Sequence, residues 1–363
     1  MSKYEPHRFP YQWYLRDGYP AKGIENHGCT VFGTFICGGG SSMGYKLAGF
    51  HHLGGVELDP RVAEIYRLNH NPEYLYNEDI RDFNKRTDLP WELYNLDLLD
   101  GSPPCSTFST AGDRDKAWGK EKKFAEGQKK QTLDDLVFIY CDTILKLRPK
   151  CFILENVKGL VIGNAKSYTK RIVQYLTENG YDVQVFLLNA ATMGVPQKRE
   201  RVFFIGHRRE YKLPKLVLQF NEAPILFRDV TNHEDKGDIN SLSEQMQFVY
   251  NHCKPNDVGF DDVLLRETGR QTGFGQCIYQ PHLIAPTVTT GRNTSILAQY
   301  PRRIRRDEIS LIGSYPMDYQ CESKNKLEWL IGMSVPPVMT AQISYQIYKQ
   351  WLSKIKKIIC TKK

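Results

Sequence analysis

The sequence predicts an α/β protein, a mostly parallel sheet with helices on both faces, followed by a smaller second lobe. Three observations carry this. Short apolar runs alternate with segments of helical periodicity from residue 30 to about 205, the pattern of parallel strands joined by helical crossovers. Residues able to do chemistry recur just after those apolar runs, at the strand ends where open sheets of this kind bind ligands. From about residue 207 the periodicity weakens, and Asn, Asp, Gln and Gly rise through 235–280. A length of 363 residues suits two lobes or one elaborated α/β domain.

Taken in order, 30–36 reads as a strand, and Cys37-Gly38-Gly39-Gly40-Ser41-Ser42 as a loop opening a helix that runs through Leu47. Gly55-Val56-Glu57-Leu58 reads as the next strand. Asp59-Pro60 then supplies a helix N-cap with proline in the first turn, followed by Val62, Ile65 and Tyr66 as an apolar face. Leu96-Asp97-Leu98-Leu99-Asp100 is a buried strand that runs into Gly101-Ser102-Pro103-Pro104-Cys105-Ser106. Leu133, Leu136, Val137, Tyr140, Ile144 and Leu147 mark a helix, and Cys151-Phe152-Ile153-Leu154 a strand leading into Glu155-Asn156-Val157. A helix closed by Gly180 precedes strands at 183–188 and 201–205. Near the end, 327–331 and the helical run 340–351 return to core-like composition. These shifts predict an N-terminal extension at 1–28, a main domain at 29–207, a second lobe at 208–325 and a returning segment at 326–363.

Composition narrows the class. A formal net charge of +8 favours polyanionic partners such as nucleic acid. Nine cysteines, odd in number, scattered and without a C-x-x-C pair, argue for a reducing compartment and against a disulfide framework or a zinc knuckle. No apolar segment approaches a membrane span, residues 1–28 lack a signal-type apolar core, and Thr361-Lys362-Lys363 after Cys360 lacks the aliphatic pair of a prenylation box. The expectation is a cytoplasmic protein with no bound metal and no membrane association.

The candidate site residues follow from chemistry. Two prolines fix the backbone where the Cys105 thiol appears, which suits a nucleophile better than a core cysteine, and Ser106, Thr107 and Ser109 make its surroundings polar. Glu155 at the end of a second strand puts a carboxylate near that thiol, where burial would raise its pKa and suit it to donating a proton. The glycine loop Gly38-x-Gly40-x-x-x-Gly44 is neither the dinucleotide fingerprint nor a phosphate-binding P-loop. With Glu57 able to accept from both ribose hydroxyls and Asp79 able to accept from an exocyclic amine, it describes a nucleoside site without a pyrophosphate. Gln197, Arg199 and Arg201 would share one face at strand period, suited to a carbonyl oxygen, a phosphate or the Glu155 carboxylate. Lys198 and Glu200 read as a solvated edge with ion pairs. Arg302, Arg303, Arg305 and Arg306 are a solvated patch in most proteins and a phosphate contact in one that handles DNA. Residues 113–132, rich in lysine and poor in apolar side chains, read as a mobile loop.

In order, these segments resemble the cytosine-C5 DNA methyltransferases: Phe35-x-Cys37-x-Gly39-Gly40, Glu57, Asp79-Ile80, Gly101-Ser102-Pro103-Pro104-Cys105, Glu155-Asn156-Val157, Gly194-Val195-Pro196-Gln197-x-Arg199-x-Arg201, Ala285-Pro286-Thr287 and Gly332-Met333-Ser334-Val335-Pro336-Pro337. The resemblance implies a Rossmann-like fold with a target-recognition domain in the second lobe. It also implies S-adenosyl-L-methionine as cofactor, S-adenosyl-L-homocysteine as product, and duplex DNA as substrate. It implies Cys105, Glu155, Arg199 and Arg201 as catalytic. Phe35, Cys37, Gly39, Gly40, Glu57, Leu58, Asp79, Ile80, Pro103, Ser334 and Val335 would line the cofactor, and Ser109, Asn156, Gln197, Arg302 and Arg303 would touch substrate. The loop at 113–132 would close over a flipped cytosine. Such an enzyme would act as a monomer in the cytoplasm, at the nucleoid in a bacterium, either in DNA protection or beside a cognate restriction endonuclease.

Three positions depart from the family pattern. Cys37 stands where glycine is usual, which implies a tighter loop and weaker cofactor affinity. Met333 replaces the usual Asn, and Leu311 and Gly313 fall in a degenerate stretch between Glu308 and Pro316. A transfer-RNA methyltransferase on the same scaffold is the rival enzyme, although the Cys-Phe-Thr motif of those relatives is missing from this sequence. A non-catalytic DNA-binding relative is the rival from another class.

Overall fold

The computed structural model describes residues 4–104, 134–162, 166–273, 275–290 and 295–361. Cys105, Ser109 and the loop at 113–132 lie outside the described residues. The chain divides into two compact units. The sheet unit comprises residues 19–189, 200–219 and 340–363, and the second unit 1–18, 190–199 and 220–339.

The sheet unit is built on seven strands: β1 (Thr30–Thr34), β2 (His51–Val56), β3 (Tyr74–Tyr76), β4 (Leu98–Gly101), β5 (Cys151–Val157), β6 (Tyr181–Asn189) and β7 (Glu200–Arg208). Their order is β3-β2-β1-β4-β5-β7-β6. All neighbours pair in parallel from β3 to β5, whereas β7 runs antiparallel to both β5 and β6. The strand order reverses between β1 and β4, and this switch opens a crevice at the strands' carboxyl ends. The sequence pattern missed β3, whose three half-buried residues carry too little periodicity to stand out.

Five helices follow the strands: α1 (Gly40–Leu47), α2 (Pro60–His70), α3 (Ile80–Lys85), α4 (Asp134–Leu147) and α5 (Lys166–Glu178). Asp59 caps α2 by accepting from the Arg61 N–H at 2.9 Å, with Pro60 beside it, and Gly180 closes the α5 turn at φ 89°. Alternate strand residues face opposite layers. Phe32, Leu99, Phe152, Leu154 and Phe204 join α3, α4 and α5 in one buried core. On the opposite face Tyr45 of α1 reaches Asp100.

The second unit contains α6 (Glu244–His252), α7 (Phe260–Thr268), the short pair β8 (Ile278–Tyr279) and β9 (Ile296–Leu297), α8 (Arg306–Ile312) and α9 (Lys324–Met333). A small core of Leu242, Met246, Val249, Phe260, Val263, Ile278 and Ile296 lies within it. Residues 1–18 also belong here: the Trp13 indole donates to the Ser314 carbonyl at 2.9 Å. Helix α10 (Pro337–Ile347) carries the chain back into the sheet unit, where α11 (Ser353–Thr361) ends it. Trp351, fully buried between them, packs edge-on against His207 of β7 and donates to the Pro214 carbonyl. Among the described residues, no helix is long and apolar enough to cross a membrane.

Candidate active site

The glycine loop after β1 is an unusual piece of backbone. Phe35, Cys37 and Gly39 have φ of 55°, 47° and 82°, so two residues with side chains occupy the left-handed region that glycine tolerates best. Gly39 is required twice over. Its φ favours glycine, and a Cβ there would lie 2.0 Å from Nε2 of the buried His70. His70 stacks on Tyr66 with ring centroids 4.2 Å apart, and so forms a floor beneath the loop.

Glu57, just past β2, is tied to that loop. Its Oε2 accepts the Cys37 N–H and its Oε1 the Asp59 N–H, both at 2.9 Å. Burial pushes its pKa up, and these backbone donors work against the shift. The Leu58 N–H is a third backbone donor to this carboxylate, so three of its roughly four lone-pair sites are engaged by the loop and the turn. Asn77 donates to the Glu57 and Leu58 carbonyls, holding this turn against the end of β3, and Leu58 remains exposed. Asp79 caps α3 through the Arg81 N–H at 2.8 Å and pairs with the Arg81 guanidinium at 3.1 Å. It therefore serves as a helix cap, and Ile80 behind it is buried.

Glu155 and Arg201 are brought together. β5 and β7 pair Glu155 with Phe203 and Val157 with Arg201, so Glu155 and Arg201 emerge on one face, and Arg201 Nε meets Glu155 Oε1 at 3.0 Å. Their side chains keep 15% and 11% exposure for Arg201 and Glu155. Arg201 also donates to the Glu200 carbonyl, while Glu200 itself pairs with Lys158 at 2.7 Å.

Three expected substrate or catalytic residues are placed differently. Asn156 is buried: its amide nitrogen donates to the Pro103 carbonyl at 3.2 Å and its oxygen accepts the Val157 N–H. It ties down the backbone at Pro103. The strand β7 begins at Glu200, so the period-two face does not extend back through Gln197 and Arg199. Both lie in the second unit. Gln197 is fully buried, bonded to the Ile312 carbonyl and the Val288 N–H. Arg199, 1% exposed, donates to the Val288 and Gly332 carbonyls and so ties distant loops of that unit together.

Arg302 is the clearest correction. It is buried in a two-point ion pair with Glu308, at 2.7 and 2.9 Å, and also donates to the Asn232 and Asp235 carbonyls. A DNA phosphate cannot reach a guanidinium so enclosed, whereas neighbouring Arg303 is exposed. In the same unit Ser334, buried, accepts from the Tyr315 hydroxyl at 2.7 Å, Val335 is buried, and Met333 is exposed.

The comparisons with known proteins turn this geometry into a family. The sequence model for C-5 cytosine-specific DNA methylases matches residues 30–349. The chain belongs to this family. Among its relatives, the Type II methyltransferase M1.HphI of Haemophilus parahaemolyticus is 27% identical over 345 residues, covering 88% of this chain and 87% of the relative. M.HindV of Haemophilus influenzae is 30% identical over 303 residues, covering 82% and 89%. The fold also matches solved structures. A protein described as a DNA modification methyltransferase encoded within a prophage (E. coli) superposes with a TM-score of 0.65 at 18% identity, over 89% of this chain and 99% of its own. A mutant of DNMT2 from Spodoptera frugiperda gives 0.61 at 17% identity, over 88% and 99%.

As a C-5 cytosine-specific DNA methylase, the chain is an enzyme that methylates DNA cytosine at carbon 5, with S-adenosylmethionine as methyl donor. The residues present fit that donor. Glu57, just past β2 and tied to the glycine loop through the Cys37 N–H, is an acid of the kind that accepts from ribose hydroxyls. No group of three or more metal-ligating side chains occurs among the described residues.

Sequence reasoning passed over Asp100, Tyr45, His52 and His70. The signal for the first was present: an acid inside the apolar run Leu96–Asp100 is costly unless it has partners.

Proposed function

We propose that this chain is the modification methyltransferase of a restriction–modification or DNA-protection system, acting on one cytosine of a short duplex sequence through Cys105 and Glu155. The Glu155–Arg201 contact of 3.0 Å, near the carboxyl end of β5, is the observation that supports this reading most directly. The names of the relatives M1.HphI, M.HindV and M.Sau96I, each a Type II methyltransferase, support the biological setting.

Carbon 5 of cytosine is a poor nucleophile. A thiolate from Cys105 adding to carbon 6 makes it carbanion-like, and Glu155 offers a proton to ring nitrogen 3 to draw off the electron density so introduced. Arg201 orients Glu155 for this. S-adenosylmethionine, when bound by the glycine loop, Glu57, Leu58 and Asp79, supplies an electrophilic methyl group. With carbon 5 methylated, a base removes its proton and elimination frees Cys105. Because the target atoms are inaccessible in a stacked duplex, the cytosine is flipped out. The lobe at 208–325 acts as the target-recognition domain and approaches the major groove, where base pairs are distinguishable. Exposed Arg303 is its best candidate for a phosphate contact. The enzyme works as a monomer in the cytoplasm.

Duplex DNA containing 5-fluorocytosine tests the mechanism, since no proton can leave carbon 5 and elimination is blocked. A covalent adduct mapped by mass spectrometry to Cys105 is expected. An adduct on another residue, or none in a preparation that methylates ordinary DNA, overturns the assignment. Offering labelled cofactor with duplex DNA and with transfer RNA tests the substrate: label in RNA alone defeats the DNA reading. Bisulfite sequencing of DNA from cells expressing the protein then gives the target sequence.

A further inference from the structure

Glu155 has a charged neighbour on each side of β5. On β7 is Arg201, in direct contact. On β4, Asp100 pairs in parallel register with Ile153, two residues before Glu155, so Asp100 and Glu155 project from the same face of adjacent strands. Asp100 is 6% exposed. The Tyr45 hydroxyl of α1 donates to its Oδ1 at 2.8 Å, and Ser41 and the Gly101 N–H bond it as well. It is thus anchored to the helix behind the glycine loop while its charge bears on Glu155. We propose that Asp100 is a positioning residue for methyl transfer, a second carboxyl group that opposes Arg201 across β5 and keeps a proton available on Glu155. This rests on the reading of Glu155 as the acid.

The physical case is one of balance. A guanidinium 3.0 Å from Glu155 favours the carboxylate and so works against proton donation. A neighbouring anion does the reverse. The groups bearing on Asp100 are Tyr45 from α1, Tyr66 from α2, Tyr140 from α4 and Glu155 from β5. The phenols are neutral near pH 7, which leaves Glu155 as the one other carboxyl among them. Burial pushes Asp100 up to about 7, with the Glu155 charge adding to the rise and the Tyr45 hydroxyl opposing it. The two carboxyls therefore titrate as a coupled pair: above about pH 7 the Asp100 charge resists loss of the proton from Glu155.

The experiment is the pH profile of methyl transfer to unmethylated plasmid DNA, with labelled cofactor, for wild type, Asp100→Asn, Tyr45→Phe and Glu155→Gln. Asn keeps an acceptor for Tyr45 and removes the charge. The expected result is an alkaline limb of kcat moved down by about one pH unit in Asp100→Asn, roughly a tenfold loss at pH 8, with KM for the cofactor within twofold. Tyr45→Phe removes the hydrogen bond that holds the Asp100 pKa down, so less of Asp100 is charged near pH 8 and the limb moves part of the way in the same direction. An unmoved limb in Asp100→Asn, beside an inactive Glu155→Gln, overturns the inference and spares the reading of Glu155. Full activity in Glu155→Gln overturns both. If Asp100→Asn fails to fold, carbon-13 carboxyl titration of Glu155 in the wild-type protein decides: two steps support the coupled pair and a single step refutes it.

Discussion

Each unit of this protein contains a glutamate–arginine pair, and the two are built differently. In the second unit Arg302 and Glu308 meet at two points, with side chains only 5% and 0% exposed. Glu308 also accepts the Asn232 and Arg305 N–H groups, and Arg302 donates to the Asn232, Asp235 and Arg303 carbonyls. In the sheet unit Arg201 and Glu155 meet at 3.0 Å and keep access to solvent, with side chains 15% and 11% exposed. The first pair has spent its hydrogen-bonding capacity on its own chain and holds α8 to the loop at 232–235. The second keeps an approach for a ligand. Burial and charge alone do not separate structure from chemistry; the enclosure of the pair does.

The largest effect should come from breaking the enclosed pair. Arg302→Met or Glu308→Gln leaves a buried, multiply bonded partner uncompensated, and should cost about 3–5 kcal/mol. The double variant Arg302→Met with Glu308→Leu should recover much of the loss, because it leaves no orphaned charge. Urea unfolding of the three proteins measures this. Single variants within about 1 kcal/mol of wild type would show that the pair is not the strut described here.

The open pair should fail in the opposite sense. Glu155→Gln should reduce methyl transfer by at least about 100-fold, or ~2.7 kcal/mol on the barrier. Its unfolding midpoint should change less than those of the Arg302 and Glu308 variants, since water can reach Arg201. Activity within tenfold of wild type, or a stability loss as large as that of Arg302→Met, would erase the distinction between the two pairs.

Much of the sheet unit was legible in the sequence because strand and helix periods are local properties. Asp59-Pro60 announced a helix start and formed one, and the apolar runs marked six of the seven strands. Glu155 was legible for the same reason, since it ends an apolar run. What could not be read was where side chains go when their partners are far away in sequence. Gln197, Arg199 and Arg302 carry the right chemistry for substrate contacts, yet they are consumed by carbonyls and acids at Val288, Ile312, Gly332 and Glu308. The reversed direction of β7 was hidden too, because the residue pattern of a buried strand does not encode which way it runs.

A third enclosed site is uncharged, and pH exposes it. His52 and His70 sit beneath the glycine loop, with His52 Nε2 and His70 Nδ1 finding no hydrogen-bond partner among the described residues. Burial holds both well below the ordinary histidine pKa, and Lys46, itself pushed down to about 8 by burial, adds to the effect. The unfolded chain protonates these rings near pH 6.5 while the folded protein does not. Their contribution to stability is therefore complete above about pH 6.5 and falls as the solution becomes more acid. The expected slope is about 1.4 kcal/mol per pH unit for each ring, measured by urea unfolding between pH 7 and pH 5. His70→Gln should reduce the slope by about one proton. An unchanged slope would mean that acid acts elsewhere.

The smallest effect concerns strain on the open side of the comparison. Cys37 holds φ at 47° because its N–H is committed to Glu57, which fixes the loop proposed above to hold S-adenosylmethionine. A side chain in that region costs about 1 kcal/mol or more, and glycine avoids the cost while giving up some entropy in the unfolded chain. Cys37→Gly should therefore stabilise the protein by at most about 1 kcal/mol, while Cys37→Val, branched next to the backbone, should destabilise it by more than 1 kcal/mol. The pair of variants separates strain from lost contacts, because removing the thiol alone would destabilise in both. Cofactor affinity, followed by calorimetry, should rise with Gly by no more than about fivefold, since a 1 kcal/mol gain can shift a dissociation constant only that far. A valine variant as stable as wild type would mean that the loop relaxes freely and is not held in place by strain at all.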